Sequence, residues 1–140
     1  MYLLDTNVVS EMRKIPVGLA DPRVMRWAKS VRTEDNYLSV ITVLELEQGA
    51  LKIERRDRLQ GAMLRSWLDD KVLPDFEGRI LQVDLRIALR CATLHVPNPR
   101  SYRDSLIAAT ALVHGMTVVT RNLSDFDSTG VALLNPWELT

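Results

Sequence analysis

Four acidic residues lie where a sheet of parallel strands would bring them together. Asp5 directly follows a short apolar segment, and Asp125 follows another that ends at Thr120. Glu45 and Asp104 each lie near the predicted start of a helix. Because the carboxyl ends of parallel strands share one edge of a sheet, we expect the four carboxylates to lie close together.

Such a cluster favours a bound cation. Two unit charges about 4 Å apart interact by about 4 kcal/mol at an effective dielectric near 20, so unpaired carboxylates repel strongly. Oxygen ligands suit a hard divalent ion, and the pattern therefore predicts Mg²⁺ or Mn²⁺.

Each carboxylate also has a purely structural explanation. Thr42-x-x-Glu45 and Ser101-x-x-Asp104 both match a capping box, in which the acid satisfies free N–H groups of a helix. Asp5, followed by Thr6-Asn7, fits an Asx-turn or a helix cap, and Asp125 fits a polar turn. The two roles are compatible, since the N-terminus of a helix favours an ionised carboxylate.

Glu47 competes with Glu45 for a place in the cluster. Two residues apart on a helix, the two side chains point about 200° away from each other, so only one can face a shared site. The cap spacing favours Glu45, although only weakly.

Other chemistries have little support in the chain. It contains neither a dinucleotide-binding nor a P-loop glycine motif. His95 and His114 have no second ligand at metal spacing, so we expect structural or surface roles. Cys91 is expected to be a small core residue, and the three tryptophans are expected to anchor packing.

Short apolar segments alternate with amphipathic ones along the chain. Strands are predicted over 2–4, 37–41, 80–83, 116–120 and 131–134, and helices over 21–31, 42–53, 59–68, 87–94 and 101–113. The third of these helices is expected to stop near Leu73-Pro74. This alternation predicts an α/β fold with a parallel sheet covered on both faces.

Length and composition narrow the class of protein. The 140 residues are 46% hydrophobic and 26% charged, without a repeat or linker, and this predicts a single domain over 1–140. A net charge of zero counts against unaided DNA binding. One cysteine and no long apolar run predict a cytoplasmic protein without a membrane segment.

Five segments in order resemble the PIN-domain ribonucleases, in particular the VapC/FitB-like toxins of prokaryotic toxin–antitoxin pairs. The resemblance runs from residue 2 to about residue 137. The segments are Leu3-Leu4-Asp5-Thr6-Asn7-Val8-Val9-Ser10-Glu11, Ser39-x-x-Thr42-x-x-Glu45-Leu46-x-x-Gly49, Asp104-Ser105-Leu106-Ile107-Ala108-Ala109-Thr110-Ala111, Val118-Val119-Thr120-Arg121-Asn122-Leu123-Ser124-Asp125-Phe126 and Leu133-Leu134-Asn135-Pro136-Trp137.

The resemblance implies a PIN-like three-layer α/β/α sandwich with about five parallel strands. It also implies an endoribonuclease that hydrolyses RNA with Mg²⁺ or Mn²⁺, and it selects Glu45 over Glu47. The implied metal and catalytic residues are Asp5, Glu45, Asp104 and Asp125, with Asn122 as an alternative to Asp125. The implied supporting residues are Thr6, Asn7, Thr120 and Asn122.

The resemblance further implies partners. They are a VapB/FitA-like antitoxin, operator DNA reached only through that antitoxin, and a second copy of the chain in a homodimer. The Leu59–Leu68 stripe is the candidate dimer contact.

Two other functions compete with this interpretation. One is a catalytically inactive PIN-like module that binds a protein partner. The other is phosphoryl transfer with Asp5 as nucleophile, which is disfavoured because position 7 is Asn and no Lys follows Lys71.

Overall fold

Five parallel strands form the centre of the structure, a computed structural model that describes residues 1–140. The sheet order is β3-β2-β1-β4-β5, and every neighbouring pair is parallel. The strands are β1 (Tyr2–Leu4), β2 (Asn36–Ser39), β3 (Ile80–Leu81), β4 (Thr117–Val119) and β5 (Leu133–Leu134). The predicted α/β fold with five parallel strands is therefore confirmed.

Seven helices connect and cover these strands. A π-helical turn, Leu68–Val72, joins the fourth to the fifth, and a 3₁₀ segment, Leu123–Phe126, follows β4. The helices are α1 (Thr6–Met12), α2 (Pro22–Ser30), α3 (Val40–Arg56), α4 (Arg58–Trp67), α5 (Leu73–Asp75), α6 (Leu85–Leu94) and α7 (Tyr102–His114). None of them is long and apolar enough to cross a membrane.

The two faces of the sheet bury different side chains, because successive residues of a strand point in opposite directions. Leu4 and Val119 pack in one core together with residues of α1 to α4. Their neighbours Leu3 and Val118 pack in a second core against α7. Burial of both faces explains why the central segments Leu3-Leu4 and Val118-Val119 are apolar at successive positions.

The direction of the chain across the sheet reverses between β1 and β4. From β1 the chain passes to β2 and then β3, and it later returns to β4 on the other side of β1. In open α/β sheets the crevice at such a reversal, outside the carboxyl ends of the strands, is the usual ligand site. Asp5 follows β1 at this point, and Thr120 follows β4.

The start of α3 differs from the sequence prediction. The helix begins at Val40 and Ser39 caps it, since the Ser39 hydroxyl accepts a hydrogen bond from the Ile41 N–H at 3.0 Å. Thr42 is therefore not the cap. Its buried hydroxyl donates to the Leu4 carbonyl at 3.5 Å. The predicted strand over 37–41 is correspondingly shifted to Asn36–Ser39, because the cap outweighs the strand preference of the β-branched Val40 and Ile41.

Two other segments also differ from the prediction. The chain after Asp5 forms α1, a seven-residue helix that was not predicted. The helix through residues 59–68 ends at Asp75, which agrees with the expected stop near Leu73-Pro74, but it contains a π-helical turn that was not predicted. Pro74 is tolerated there because it lies in the first turn of α5, where its missing N–H is not needed.

Candidate active site

Asp5 is the buried centre of the site, with 6% of its surface exposed. Its Oδ1 accepts a hydrogen bond from the Thr6 N–H at 2.8 Å, so Asp5 caps α1. Its Oδ2 accepts hydrogen bonds from the Thr120 hydroxyl at 2.8 Å and the Asn7 amide at 3.3 Å. Capping fixes the carboxylate at the end of β1, so the structural and chemical roles coexist.

Thr120 and Asn7 tie the ends of β1 and β4 together. The Thr120 hydroxyl accepts hydrogen bonds from the Asn122 N–H at 3.0 Å and the Asn7 amide at 3.4 Å. Asn7 Oδ1 in turn accepts the Arg121 N–H at 3.2 Å. Asn122 thus contacts this network through its backbone N–H. These bonds set the orientation of the Asp5 carboxylate.

Glu45 lies in the second turn of α3, facing α1. Its Oε1 accepts a hydrogen bond from the Thr6 hydroxyl at 2.9 Å, and its Oε2 is 3.8 Å from Arg103 Nη1. The capping-box interpretation of Glu45 is wrong, because α3 starts at Val40. Glu47 faces elsewhere and pairs with Arg65.

Asp104 lies in the first turn of α7 and is half-buried. The Ser101 hydroxyl accepts the Asp104 N–H at 3.5 Å, which confirms Ser101 as the cap. The preceding residue, Arg103, brings a half-exposed guanidinium to Glu45. Sequence reasoning missed this arginine, although a basic residue directly before Asp104 was a visible signal.

The pKa values show that the carboxylates act on one another. Burial, followed by the charges of Asp125, Asp5 and Glu45, raises the pKa of Asp104 to about 6. Burial raises the pKa of Asp5 as well, and the charge of Asp125 adds to this rise. Hydrogen bonds from Thr120, Thr6 and Asn7 oppose the rise at Asp5. The structure therefore brings Asp104 within electrostatic reach of the other three predicted carboxylates.

A cation fits the chemistry of this cluster. No three Asp, Glu, His or Cys side chains lie close enough together to hold one metal ion in the present side-chain positions. The cluster nevertheless offers carboxylate oxygens, the ligands that Mg²⁺ and Mn²⁺ prefer. A bound cation would also offset the repulsion that raises the pKa of Asp104.

Replacing Asp104 by Asn is expected to stabilise the metal-free protein at neutral pH. An acid whose pKa is raised on folding contributes stability below its unfolded pKa and loses it as the pH rises through the folded value, about 6. At pH 7.5 the charged Asp104 therefore costs stability, by about 1 kcal/mol after discounting for solvent screening. The stability gained by Asp104→Asn should disappear as the pH falls from 7 towards 4. Urea unfolding in EDTA measures this change.

The control for this prediction is Asp70→Asn, which removes an exposed carboxylate. It should leave stability nearly unchanged over the same pH range. A pH-independent effect of Asp104→Asn would show that the neighbouring charges do not act on Asp104.

The remaining titratable candidates are held in structural contacts. His95 Nε2 lies 2.8 Å from the Ser105 hydroxyl, and its ring stacks on Tyr102 with centroids 4.5 Å apart. Cys91 is buried and contacts the same hydroxyl at 3.4 Å. His114 is exposed at the end of α7. The predicted structural or surface roles agree with these positions.

Comparisons with known proteins match the chain over nearly its full length. The PIN domain family model matches residues 2–131. The VapC ribonuclease Y4jK of Sinorhizobium fredii is 37% identical over 143 residues, covering 99% of both chains. Toxin FitB of Neisseria gonorrhoeae is 40% identical over 149 residues, covering 98% of this chain and 99% of FitB.

A solved structure is also similar over the whole fold. The structure of FitAB bound to an IR36 DNA fragment superposes with a TM-score of 0.86 at 37% identity, covering 100% of this chain and 98% of the matched one. The chain thus matches members of one family in both sequence and fold over nearly its full length. The chain belongs to the PIN-domain family, among its VapC/FitB-like toxins.

Proposed function

We propose that this protein is a toxin that hydrolyses RNA phosphodiester bonds as an Mg²⁺- or Mn²⁺-dependent endoribonuclease. The observation that carries the proposal is the cluster of Asp5, Glu45, Asp104 and Asp125 at the reversal point of the sheet. Carboxylates held close together cost stability, even with Arg103 near Glu45, and such a cost is expected where function requires it. The VapC ribonuclease relative supports RNA as the substrate.

Asp5 and Asp104 are proposed to hold the main ion, with Glu45 and Asp125 completing the site. A bound divalent ion would supply positive charge that polarises a phosphate oxygen and lowers the pKa of a water molecule. Thr120 and Asn7 keep Asp5 Oδ2 in position, and the Thr6 N–H holds Oδ1.

Glu45 and Asp104 are the carboxylates proposed to orient the attacking water. The Thr6 hydroxyl holds Glu45 Oε1, while Oε2, which lies 3.8 Å from Arg103 Nη1, can also accept a hydrogen bond from water. An ionised Asp104, in the first turn of α7, can accept a hydrogen bond from such a water as well. In-line attack on phosphorus then requires the RNA backbone to lie across the ends of β1 and β4.

Incubating the purified, antitoxin-free chain with total cellular RNA tests this function. We expect discrete fragments in Mg²⁺ or Mn²⁺ and none in EDTA, because the carboxylates alone supply no positive charge to the phosphate. Gel analysis with mapping of the fragment ends gives the measurement. RNA incubated with each metal but without protein is the control for hydrolysis by the metal itself.

Two results would contradict the proposal in different ways. Undiminished cleavage in EDTA would exclude a metal-dependent reaction. A folded chain that binds Mn²⁺ yet cleaves none of the RNA would favour the alternative, a catalytically inactive module that binds a protein partner.

A VapB/FitA-like antitoxin is the proposed protein partner, and operator DNA is proposed to bind through it. FitB, the relative from Neisseria gonorrhoeae, is called a toxin, and FitAB has been solved bound to DNA. The zero net charge of this chain supports a division of labour in which the partner binds the DNA. Adding the cognate antitoxin in stoichiometric amount should suppress RNA cleavage, and failure to do so would contradict the pairing.

A homodimer is also proposed, in which fewer residues of the Leu59–Leu68 stripe can contact the second copy than the sequence predicts. Leu68 is buried in the core of the protein, so it is not available to a second copy. Leu59 and Met63 of the same stripe remain 75% and 58% exposed. A monomeric mass by light scattering at micromolar concentration would exclude the dimer in the free chain.

A further inference from the structure

A groove of about 290 Å³ leads away from the carboxylates between α1, α3 and α4. Thr6 and Glu45 line it beside the site, and Arg13 and Trp67 line it further along. Arg13 follows Thr6 by seven residues along α1, which corresponds to about 10 Å at the helical rise of 1.5 Å per residue. A nucleotide-sized molecule in the groove can therefore contact Thr6 and Glu45 at one end and Arg13 at the other.

Arg13 is a half-buried cation without a carboxylate partner. Its guanidinium lies over the Trp67 ring at 5.8 Å, and none of the eight salt bridges includes it. Partly buried charges are normally paired, since desolvation without a partner is costly. The donors of Arg13 are thus available to acceptors on a ligand.

Trp67 differs from the other two tryptophans. Trp27 and Trp137 are 5% and 6% exposed and belong to the core, whereas Trp67 is only partly buried and lines the groove. Unstacked bases of single-stranded RNA stack on aromatic rings and on guanidinium planes, and Trp67 with Arg13 over its ring offers both at one place.

Gly49 keeps the groove open. It lies inside α3, where a glycine costs roughly 1 kcal/mol relative to alanine. A Cβ at this position would meet nothing within 4 Å, and the backbone there is ordinary helix. Neither packing nor backbone conformation therefore requires this glycine. Its effect is to leave space in the wall of the groove, directly along the helix from Glu45.

We infer that the groove binds the base of the nucleotide next to the cleaved phosphate, and that Arg13 selects guanine there. The planar fork of arginine matches the O6 and N7 acceptors of guanine, whereas adenine presents a donor at the same edge. The inference rests on the proposed ribonuclease function. A groove of this volume beside Glu45 and Thr6 has room for one base of a nucleotide whose phosphate lies at those residues.

Sequencing the ends of the RNA fragments tests this inference. The wild-type chain should cut next to guanine at one flanking position, on the order of tenfold more often than next to adenine. Arg13→Gln should abolish this preference while cleavage continues. Gly49→Leu, whose Cβ meets nothing within 4 Å and whose side chain narrows the groove, should do the same and raise KM more than it lowers kcat. Arg58→Gln is the matched control, because it removes an exposed arginine outside the groove.

A second measurement is independent of cleavage. Guanosine 5′-monophosphate added in EDTA should quench tryptophan fluorescence at concentrations about tenfold lower than cytidine 5′-monophosphate. Trp67→Phe should remove the quenching, and Arg13→Gln should remove the difference between the two nucleotides.

The outcomes separate this inference from the proposed function. If the wild type cleaves RNA and Arg13→Gln leaves its base preference unchanged, the inference is wrong and the function stands. If both groove variants keep that preference but escape inhibition by the antitoxin, the groove is a protein-binding site instead. If no RNA is cleaved, equal quenching by the two nucleotides still overturns the inference.

Discussion

Replacing Asp5 by Asn is expected to reduce RNA cleavage by roughly a hundred- to a thousandfold. The amide keeps the size of the side chain but removes the charge that would hold a divalent ion at the centre of the site. The fold should survive, because asparagine caps a helix about as well as aspartate and its Oδ1 can still accept the Thr6 N–H. Cleavage rates and urea unfolding of the same preparations give the two measurements.

The network around Asp5 explains why this residue should have the largest effect. Its Oδ2 accepts a hydrogen bond from Thr120. An asparagine amide nitrogen in place of that oxygen would oblige the Thr120 hydroxyl to accept, and that hydroxyl already accepts from Asn122 and Asn7. The network would therefore loosen at the end of β4 in addition to losing its charge.

Asp70→Asn is the matched control, since it makes the same chemical change on an exposed carboxylate outside the site. It should cleave RNA at the wild-type rate. Full metal-dependent activity in Asp5→Asn would show that Asp5 does not hold the main ion. If the variant unfolds, the same measurement on Asp104→Asn tests the site.

The sheet and the carboxylates could be predicted because their signals are local. Segments such as Tyr2-Leu3-Leu4 are too apolar and too short to be anything but buried strands, and the residue after each strand then lies at one known edge of the sheet. Asp5 was found in this way without knowledge of the fold. Asp104 could be predicted from its place near the start of the helix before β4, and the Ser101 cap that marks this start is also a local pattern.

Features that depend on contacts between distant segments could not be predicted in the same way. The start of α3 was misplaced because Thr42 looks like a cap, and only its burial against the Leu4 carbonyl explains why it is not one. The structure distinguishes Glu45 from Glu47 by their different partners, Thr6 and Arg65, which lie far away in sequence.

The groove beside the site could not be predicted from the sequence for the same reason. Arg13 and Trp67 belong to different helices, and no spacing in the sequence connects them. Gly49 was noted only as part of a motif, because its role depends on the open space that the folded chain leaves above it.

Replacing Phe126 by Ala is expected to destabilise the protein by about 3–5 kcal/mol, the usual cost of removing a buried phenylalanine. Phe126 is 1% exposed and packs in the core with Leu3, Ile107 and Val118. Its backbone carbonyl also accepts a hydrogen bond from the Thr129 hydroxyl at 2.7 Å. The midpoint and slope of urea unfolding measure the change, and Phe126→Leu should lose much less because it leaves a smaller cavity.

Phe126 also fixes the position of Asp125, the fourth carboxylate of the site. Asp125 is exposed and directly precedes Phe126 in the 3₁₀ segment after β4, so the buried ring fixes the position of its neighbour. Phe126→Ala should therefore lower cleavage even where most of the protein remains folded. Asp125→Asn separates the two effects: it should lower cleavage while leaving stability at or above the wild-type value, because it removes a charge that raises the pKa of Asp104. Wild-type cleavage by Asp125→Asn would exclude Asp125 from the site and leave Asn122 as the fourth ligand.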